Sequence, residues 1–126
     1  MYEAINTNQA PEAIGPYSQA VGLGNLIYIS GQIPLNPSTM KFESANVEEQ
    51  TKQVMNNIGA ILSEAGLTYK HIVKTNIYLD SMDDFATVND VYASYLSEPY
   101  PARAAIEVSK LPKDAKVEIE AVAVKS

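Results

Sequence analysis

Hydrophobic and polar positions change period several times along these 126 residues, and the changes divide the chain. In the first 37 residues, breaks at Pro11, Gly15, Pro16, Gly22, Gly24, Gly31, Pro34 and Pro37 leave two short β-type pieces, 17–23 and 26–32. Gly24-Asn25 between them reads as a hairpin turn, because both residues tolerate φ > 0. Residues 34–40 read as a loop. A helical period then takes over, with Val47, Val54, Ile58, Ile61, Leu62 and Ala65 on one apolar stripe. Asn46 is a good N-cap, Glu49 three residues on resembles the partner in a capping box, and Gly66 suits the left-handed residue that ends a helix, so the helix is expected over 47–65.

Residues 71–79 return to alternation, with Val73, Thr75, Ile77 and Leu79 expected on one face and Ile72, Lys74, Asn76 and Tyr78 on the other. Ser81 with Asp84 opens a second helix in the same manner as the first. Its stripe is Phe85, Val88, Val91, Tyr92, Tyr95 and Leu96, and it stops before Pro99. Strands near 103–108 and 117–124 complete the chain, joined by Lys110-Leu-Pro-Lys-Asp. The order β-β-α-β-α-β-β predicts one α+β domain over 1–126, a mixed β-sheet with two helices packed on one face. The other face is not solvent-like: Ile72 and Tyr78 lie on it, and in the last strand Glu118 and Glu120 share a face with Val122 and Val124. Such a face is a liability in a monomer, so it is expected to pack against other copies in a closed cyclic oligomer.

Composition narrows what this domain can do. With 15 acidic and 9 basic residues the net charge is -6, which argues against nucleic acid as the main partner. No cysteine is present, which excludes a disulfide scaffold, an iron–sulfur site and any Cys-based zinc site or nucleophile. His71 is the only histidine, so a Ser-His-Asp triad would rest on it alone, and no Gly-x-Ser-x-Gly elbow accompanies it. Simple nucleotide-binding motifs are missing as well, and nothing implies a cofactor or a metal. No apolar run approaches the roughly 18 residues of a membrane span. Met1-Tyr-Glu-Ala-Ile-Asn lacks the features of a signal peptide. A soluble cytoplasmic protein is the expectation.

Two residues stand out against this background. Arg103 is the sole arginine in a chain that otherwise uses lysine, which suggests a position that needs the planar fork for a carboxylate; a structural ion pair with an acidic neighbour, or simple chance, is the competing explanation. Glu118 interrupts a strongly apolar strand, where burial would raise its pKa and make it useful for proton transfer near neutral pH. Glu120, on the same face, competes for that role, and pairing with a lysine is the plainer alternative for either. Tyr17 follows a turn and is either a site residue or core. Ser30-Gly31 ends a strand with a residue that permits close approach. Asn89 faces away from the strongest apolar stripe of its helix and is expected to be solvated, and His71 reads as a surface or strand-start residue.

Gly15-Pro-Tyr-Ser-Gln-Ala, Ser30-Gly-Gln-Ile-Pro, Asp84-Phe with Asn89-Asp-Val-Tyr, Pro101-Ala-Arg, Leu111-Pro and Val117-Glu-Ile-Glu, taken together, resemble the RidA/YjgF/YER057c/UK114 family over nearly the whole chain. The resemblance implies a chorismate-mutase-like fold (Bacillus type) and a homotrimer, with the sheets forming a central barrel and sites in the clefts between subunits. It implies hydrolysis of reactive 2-imino acids or their enamine tautomers, 2-iminobutanoate and 2-iminopropanoate, released by pyridoxal-phosphate dehydratases. Arg103 matches the arginine of the deaminase subfamily and would clamp the substrate carboxylate. The family's water-holding carboxylate falls on Glu118 rather than Glu120. Tyr17, Ser30, Gly31 and Asn89 match positions lining the cleft, and Ala105 would offer a backbone amide. Two positions depart from the pattern: Ala105 stands where many relatives have Cys, and Met40 where relatives often have Gly. A trimer that only binds or senses small carboxylates or keto acids is the competing function. Ribonuclease or chaperone-like roles are a third, and the acidic charge weighs against RNA.

Overall fold

The structure is a computed structural model that describes residues 1–125. Six strands form one sheet: β1 (Glu3–Ile5), β2 (Ala20–Leu23), β3 (Leu26–Gln32), β4 (Ile72–Leu79), β5 (Ala102–Glu107) and β6 (Val117–Val124). Their order across the sheet is β1-β2-β3-β6-β4-β5. Every neighbouring pair is antiparallel except β4–β5, which is parallel, so the sheet is mixed as expected. Helices α1 (Val47–Glu64) and α2 (Phe85–Ser94) supply the second layer. Ile27, Ile29, Ile77, Leu79, Val117 and Ile119 on one sheet face meet Val54, Ile58, Ile61 and Leu62 of α1 and Val88 and Tyr92 of α2. Each fully buried side chain of this kind contributes about 1.5–3 kcal/mol.

Local chemistry sets the helix limits. Asn46 Oδ1 accepts from the Glu49 amide at 3.1 Å, the N-cap half of the expected box. The Glu49 carboxylate turns instead toward Lys52, 3.5 Å away. At the other end Gly66 takes φ +77, Leu67 N–H donates to Leu62 C=O at 2.8 Å and Gly66 N–H to Ser63 C=O at 3.0 Å. That pair of bonds is a Schellman cap, which only a residue tolerant of the left-handed region closes without strain.

Four expectations need correction. The N-terminal residues form β1, which pairs with β2, although three residues with a Glu at one end carry no usable period. The strand expected over 17–23 begins only at Ala20, because residues 15–19 are held in a turn. In β4 the pairing with β6 shifts between Ile72 and Lys74, so a bulge at Val73 turns Ile72 into the core and leaves Val73 exposed, the reverse of simple alternation. Ser81 caps a 3₁₀ turn, Met82–Asp84, by accepting from Asp83 N–H at 3.1 Å, and α2 starts only at Phe85.

Opposite the helices, the sheet carries the half-buried Lys74, Asn76, Tyr78, Glu118, Glu120, Val122 and Val124 and the more exposed Tyr28 and Ile106. No helix among the described residues is long and apolar enough to cross a membrane.

Candidate active site

The candidate residues fall into two groups. The first surrounds Glu118. In the β3–β6 pairing Ile29 opposes Ala121 and Gln32 opposes Ile119, so Ser30 and Gly31 together oppose one residue, Glu120. This bulge brings Gly31 against the Glu118 side chain. A Cβ at Gly31 would fall onto Glu118 Oε2, so the position needs glycine for close approach rather than for a special φ. The Glu118 carboxylate is half-buried at the wall of a cavity of 320 Å³ that Tyr17, Gln19, Gly31, Ile33, Leu35 and Lys113 also line. Among the described residues Glu118 makes no side-chain hydrogen bond. Burial raises its pKa first, and the charge of Glu120 raises it further.

Glu120 differs from Glu118. Its Oε1 accepts from Asn76 Nδ2 at 2.9 Å and from the Tyr78 hydroxyl. That hydrogen bond, more than burial, pushes the Tyr78 pKa up to about 12 and keeps Tyr78 a donor. Neither glutamate pairs with a lysine among the described residues.

The cavity wall is held by Gln19, a residue that nothing in the sequence marks out. Buried at 2% exposure, it donates from Nε2 to the carbonyls of Thr7, Ala10 and Pro11 at 3.0, 3.3 and 2.7 Å. Its Oε1 accepts from Thr7 N–H at 2.6 Å. The adjoining Ser30 places its amide 2.9 Å from Gln19 C=O, and its hydroxyl donates to Ser18 C=O at 2.6 Å. Ser30 therefore anchors the 15–19 turn and lines a different cavity, on the open face. Tyr17 is exposed and not a core residue. Lys113 and Asp114 hold φ of 56° and 58°, an unusual pair of left-handed residues, and Lys113 lines the Glu118 cavity.

The second group surrounds Arg103 on the outermost strand β5. Arg103 Nη1 donates to Asn89 Oδ1 at 2.6 Å, and its Cζ lies 5.3 Å from the Phe85 ring centroid and 5.4 Å from that of Tyr92. Asn89 is thus engaged rather than simply solvated. Arg103 makes no ion pair among the described residues, so the structural ion pair weighed for a lone arginine is not found there. Ala105, two residues on, packs against the core from the same face.

These groups lie on opposite faces of one sheet. Arg103 pairs with Thr75 and Ala105 with Ile77, both buried beneath the helices. Glu118 pairs with Tyr78, on the open face. A single copy therefore does not bring Arg103 and Glu118 together. His71 belongs to neither group: it lies in the 3₁₀ turn Tyr69–His71, where its Nδ1 accepts from Thr68 N–H at 3.0 Å in a capping box.

Comparison with known proteins identifies the family and the fold. A family model described as Endoribonuclease L-PSP matches residues 7–125. A RutC family protein of Pyrococcus horikoshii is 50% identical over 125 residues, covering 99% of each chain. The chain belongs to the RidA/YjgF family. Family members carry more than one name. A mouse relative, 48% identical over 97% of this chain and 90% of its own, is called 2-iminobutanoate/2-iminopropanoate deaminase. The crystal structure of E. coli TdcF with bound serine superposes with a TM-score of 0.94 at 43% identity, over 98% of this chain and 99% of that one. The two-helix, mixed-sheet architecture is thus that of solved Rid proteins.

Proposed function

We propose that the chain hydrolyses small 2-imino acids and their enamine tautomers to 2-oxo acids and ammonia, in a chorismate-mutase-like homotrimer. Each site joins the Arg103 half of one copy to the Glu118 half of the next. The observation that carries this reading is a pairing of unlike groups on one chain: an exposed guanidinium and a half-buried carboxylate that, among the described residues, have no counter-ion and no side-chain hydrogen-bond partner respectively. Each has a free valence that a small imino acid and a water would satisfy. Covering the open face with further copies would also bury Tyr28 and Ile106, which are 44% and 51% exposed in one chain.

The chemistry follows from the two groups. Arg103 clamps the substrate carboxylate through two parallel N–H donors and fixes the neighbouring imine carbon. Glu118, ionised, holds a water and takes its proton as the water oxygen bonds to the carbon of the protonated imine, while the C=N π electrons pass to nitrogen and neutralise it, giving the carbinolamine. Glu118 then returns that proton to the carbinolamine nitrogen and takes the hydroxyl proton as the C–N bond breaks. The products are a 2-oxo acid and ammonia, which carries the last proton away as ammonium and leaves Glu118 ionised. A raised pKa suits both transfers, because the group changes state closer to neutral pH. Gly31 lets the carboxylate and the substrate approach, Tyr17 closes the wall, and the Ala105 amide remains available without the thiol that many relatives carry.

The mouse deaminase supports the activity, and the serine in TdcF supports a pocket for a small carboxylate. The serine also favours the second reading, a carboxylate-sensing trimer without turnover. An acidic residue beside an anion site serves a hydrolase, whereas a receptor for a carboxylate that carries no ammonium gains nothing from it. For the endoribonuclease description of the family, a net charge of -6 opposes binding of a phosphate backbone. The test couples the protein to a threonine dehydratase. Release of 2-oxobutanoate should accelerate, and Arg103→Ala should abolish the gain; saturable oxo-acid binding without acceleration would favour the sensor.

A further inference from the structure

This inference deepens the reading of Arg103 as a carboxylate clamp and rests on it. Arg103 leaves an edge strand into solvent, where a long cationic side chain ordinarily samples many rotamers. Helix α2 removes that freedom at Phe85, Asn89 and Tyr92. These positions, i, i+4 and i+7, lie on one helical stripe. The two rings flank the guanidinium at cation–π distance, 5.3 and 5.4 Å, and Asn89 Oδ1 binds Nη1 at 2.6 Å. The stripe is itself anchored, since the Tyr92 hydroxyl lies 2.7 Å from Thr75 Oγ1 and both residues are buried.

All three contacts come from uncharged groups. An aspartate in place of Asn89 would hold the guanidinium at least as firmly, yet it would neutralise the charge and compete with an incoming carboxylate. Oδ1 occupies one N–H of five, which leaves donors for a bidentate ligand. We propose that Phe85, Asn89 and Tyr92 form a neutral cradle that fixes the Arg103 guanidinium while leaving its charge whole, making them positioning residues for a small carboxylate ligand. The stripe reads in the sequence as Phe-x-x-x-Asn-x-x-Tyr, where Phe85 and Tyr92 pass for ordinary core residues.

The test measures kcat and KM for 2-iminobutanoate, and Kd for 2-oxobutanoate, on the intact protein and three variants. Asn89→Asp should raise KM and Kd about tenfold or more with kcat within about twofold, because binding charge is lost and the reacting atoms are untouched. The carboxamide analogue of the imine, which lacks the anion, should show no such rise. Phe85→Leu alters no charge and should raise both constants about threefold to tenfold, and Tyr92→Phe, which keeps the ring but loses the anchor to Thr75, should raise them less, about twofold to threefold. Should Asn89→Asp fail to fold, Phe85→Leu decides. Unchanged KM and Kd in folded variants, or an equal rise with the carboxamide, would overturn the cradle. The Kd readout separates the two levels. A wild type that binds 2-oxobutanoate through Arg103 without turnover defeats the deaminase reading and leaves the cradle to be judged by Kd. A wild type whose affinity is indifferent to Arg103 overturns both.

Discussion

The Arg103 and Glu118 regions are built on opposite rules. Arg103 stands at the edge of the sheet, exposed, and is held by three groups that do not cancel its charge. Glu118 stands in the middle of the sheet, half-buried, and makes no side-chain hydrogen bond among the described residues, while its neighbour Glu120 is held by two. One region fixes a charged side chain and keeps it available; the other desolvates a charge and keeps it reactive. A carboxylate that were held as Glu120 is held would have its lone pairs occupied, and an arginine paired with an acid would have no charge to offer. On the proposed function, the contrast is that between a binding group and a proton-transfer group.

The comparison breaks first at Arg103. Arg103→Lys keeps the charge and loses the fork and the ring stacking, so kcat/KM for a 2-imino acid should fall about a hundredfold while stability stays within about 0.5 kcal/mol, as expected for an exposed edge position. Steady-state kinetics with a thermal melt checks both, and retained activity would mean that a point charge is enough. Gly31→Ala acts on the other region. Its methyl displaces the Glu118 carboxylate, so activity should drop at least about tenfold and stability by about 1–3 kcal/mol. Normal kinetics in that variant would show that the Gly31–Glu118 contact is idle.

These two positions also mark how far the sequence alone reaches. Helix α1 was legible because its stripe, its Asn46 cap and its Gly66 stop all agree. The mixed sheet with helices on one face followed from the alternation of β-type and helical segments. The Val73 bulge was not legible, since a strand's register depends on its neighbours, and it exchanged the faces of Ile72 and Val73. Arg103 and Glu118 were visible as anomalies of composition and pattern, a lone arginine and an acid in an apolar strand. Their placement on opposite sheet faces was not, because it depends on the parallel register of β5 against β4. Gln19 was missed altogether: a buried glutamine that binds three carbonyls looks, in sequence, like any polar residue beside a turn.

Gln19 sharpens the comparison at a smaller scale, since it supports the wall of the Glu118 cavity and touches nothing near Arg103. Gln19→Ala leaves buried backbone groups unpaired and should cost about 2–3 kcal/mol in chemical denaturation. KM should rise through the loosened wall, while titration of 2-oxobutanoate onto Arg103 should change less.

The smallest expected effect concerns the charge of Glu118. Its pKa is raised in the fold, so its contribution to stability is intact below the ordinary carboxylate value and is lost as pH rises through the folded value. Glu118→Gln should therefore be more stable than the parent at neutral pH by roughly a few tenths of a kcal/mol, a figure already reduced for partial exposure. The gain should fade toward about pH 4. Melting curves across that range check the sign, and a variant less stable at pH 7 would contradict it.

The central claim is that Arg103 and Glu118 act together only across two copies of the chain. Mixing the Arg103→Ala and Glu118→Gln proteins, each expected to be inactive alone, after unfolding and co-refolding, tests it directly. Every mixed trimer then contains one site with both groups intact, so random mixing should restore about a quarter of wild-type imine hydrolysis. A mixture as inactive as its parts, with mixed oligomers verified by mass, would contradict the claim.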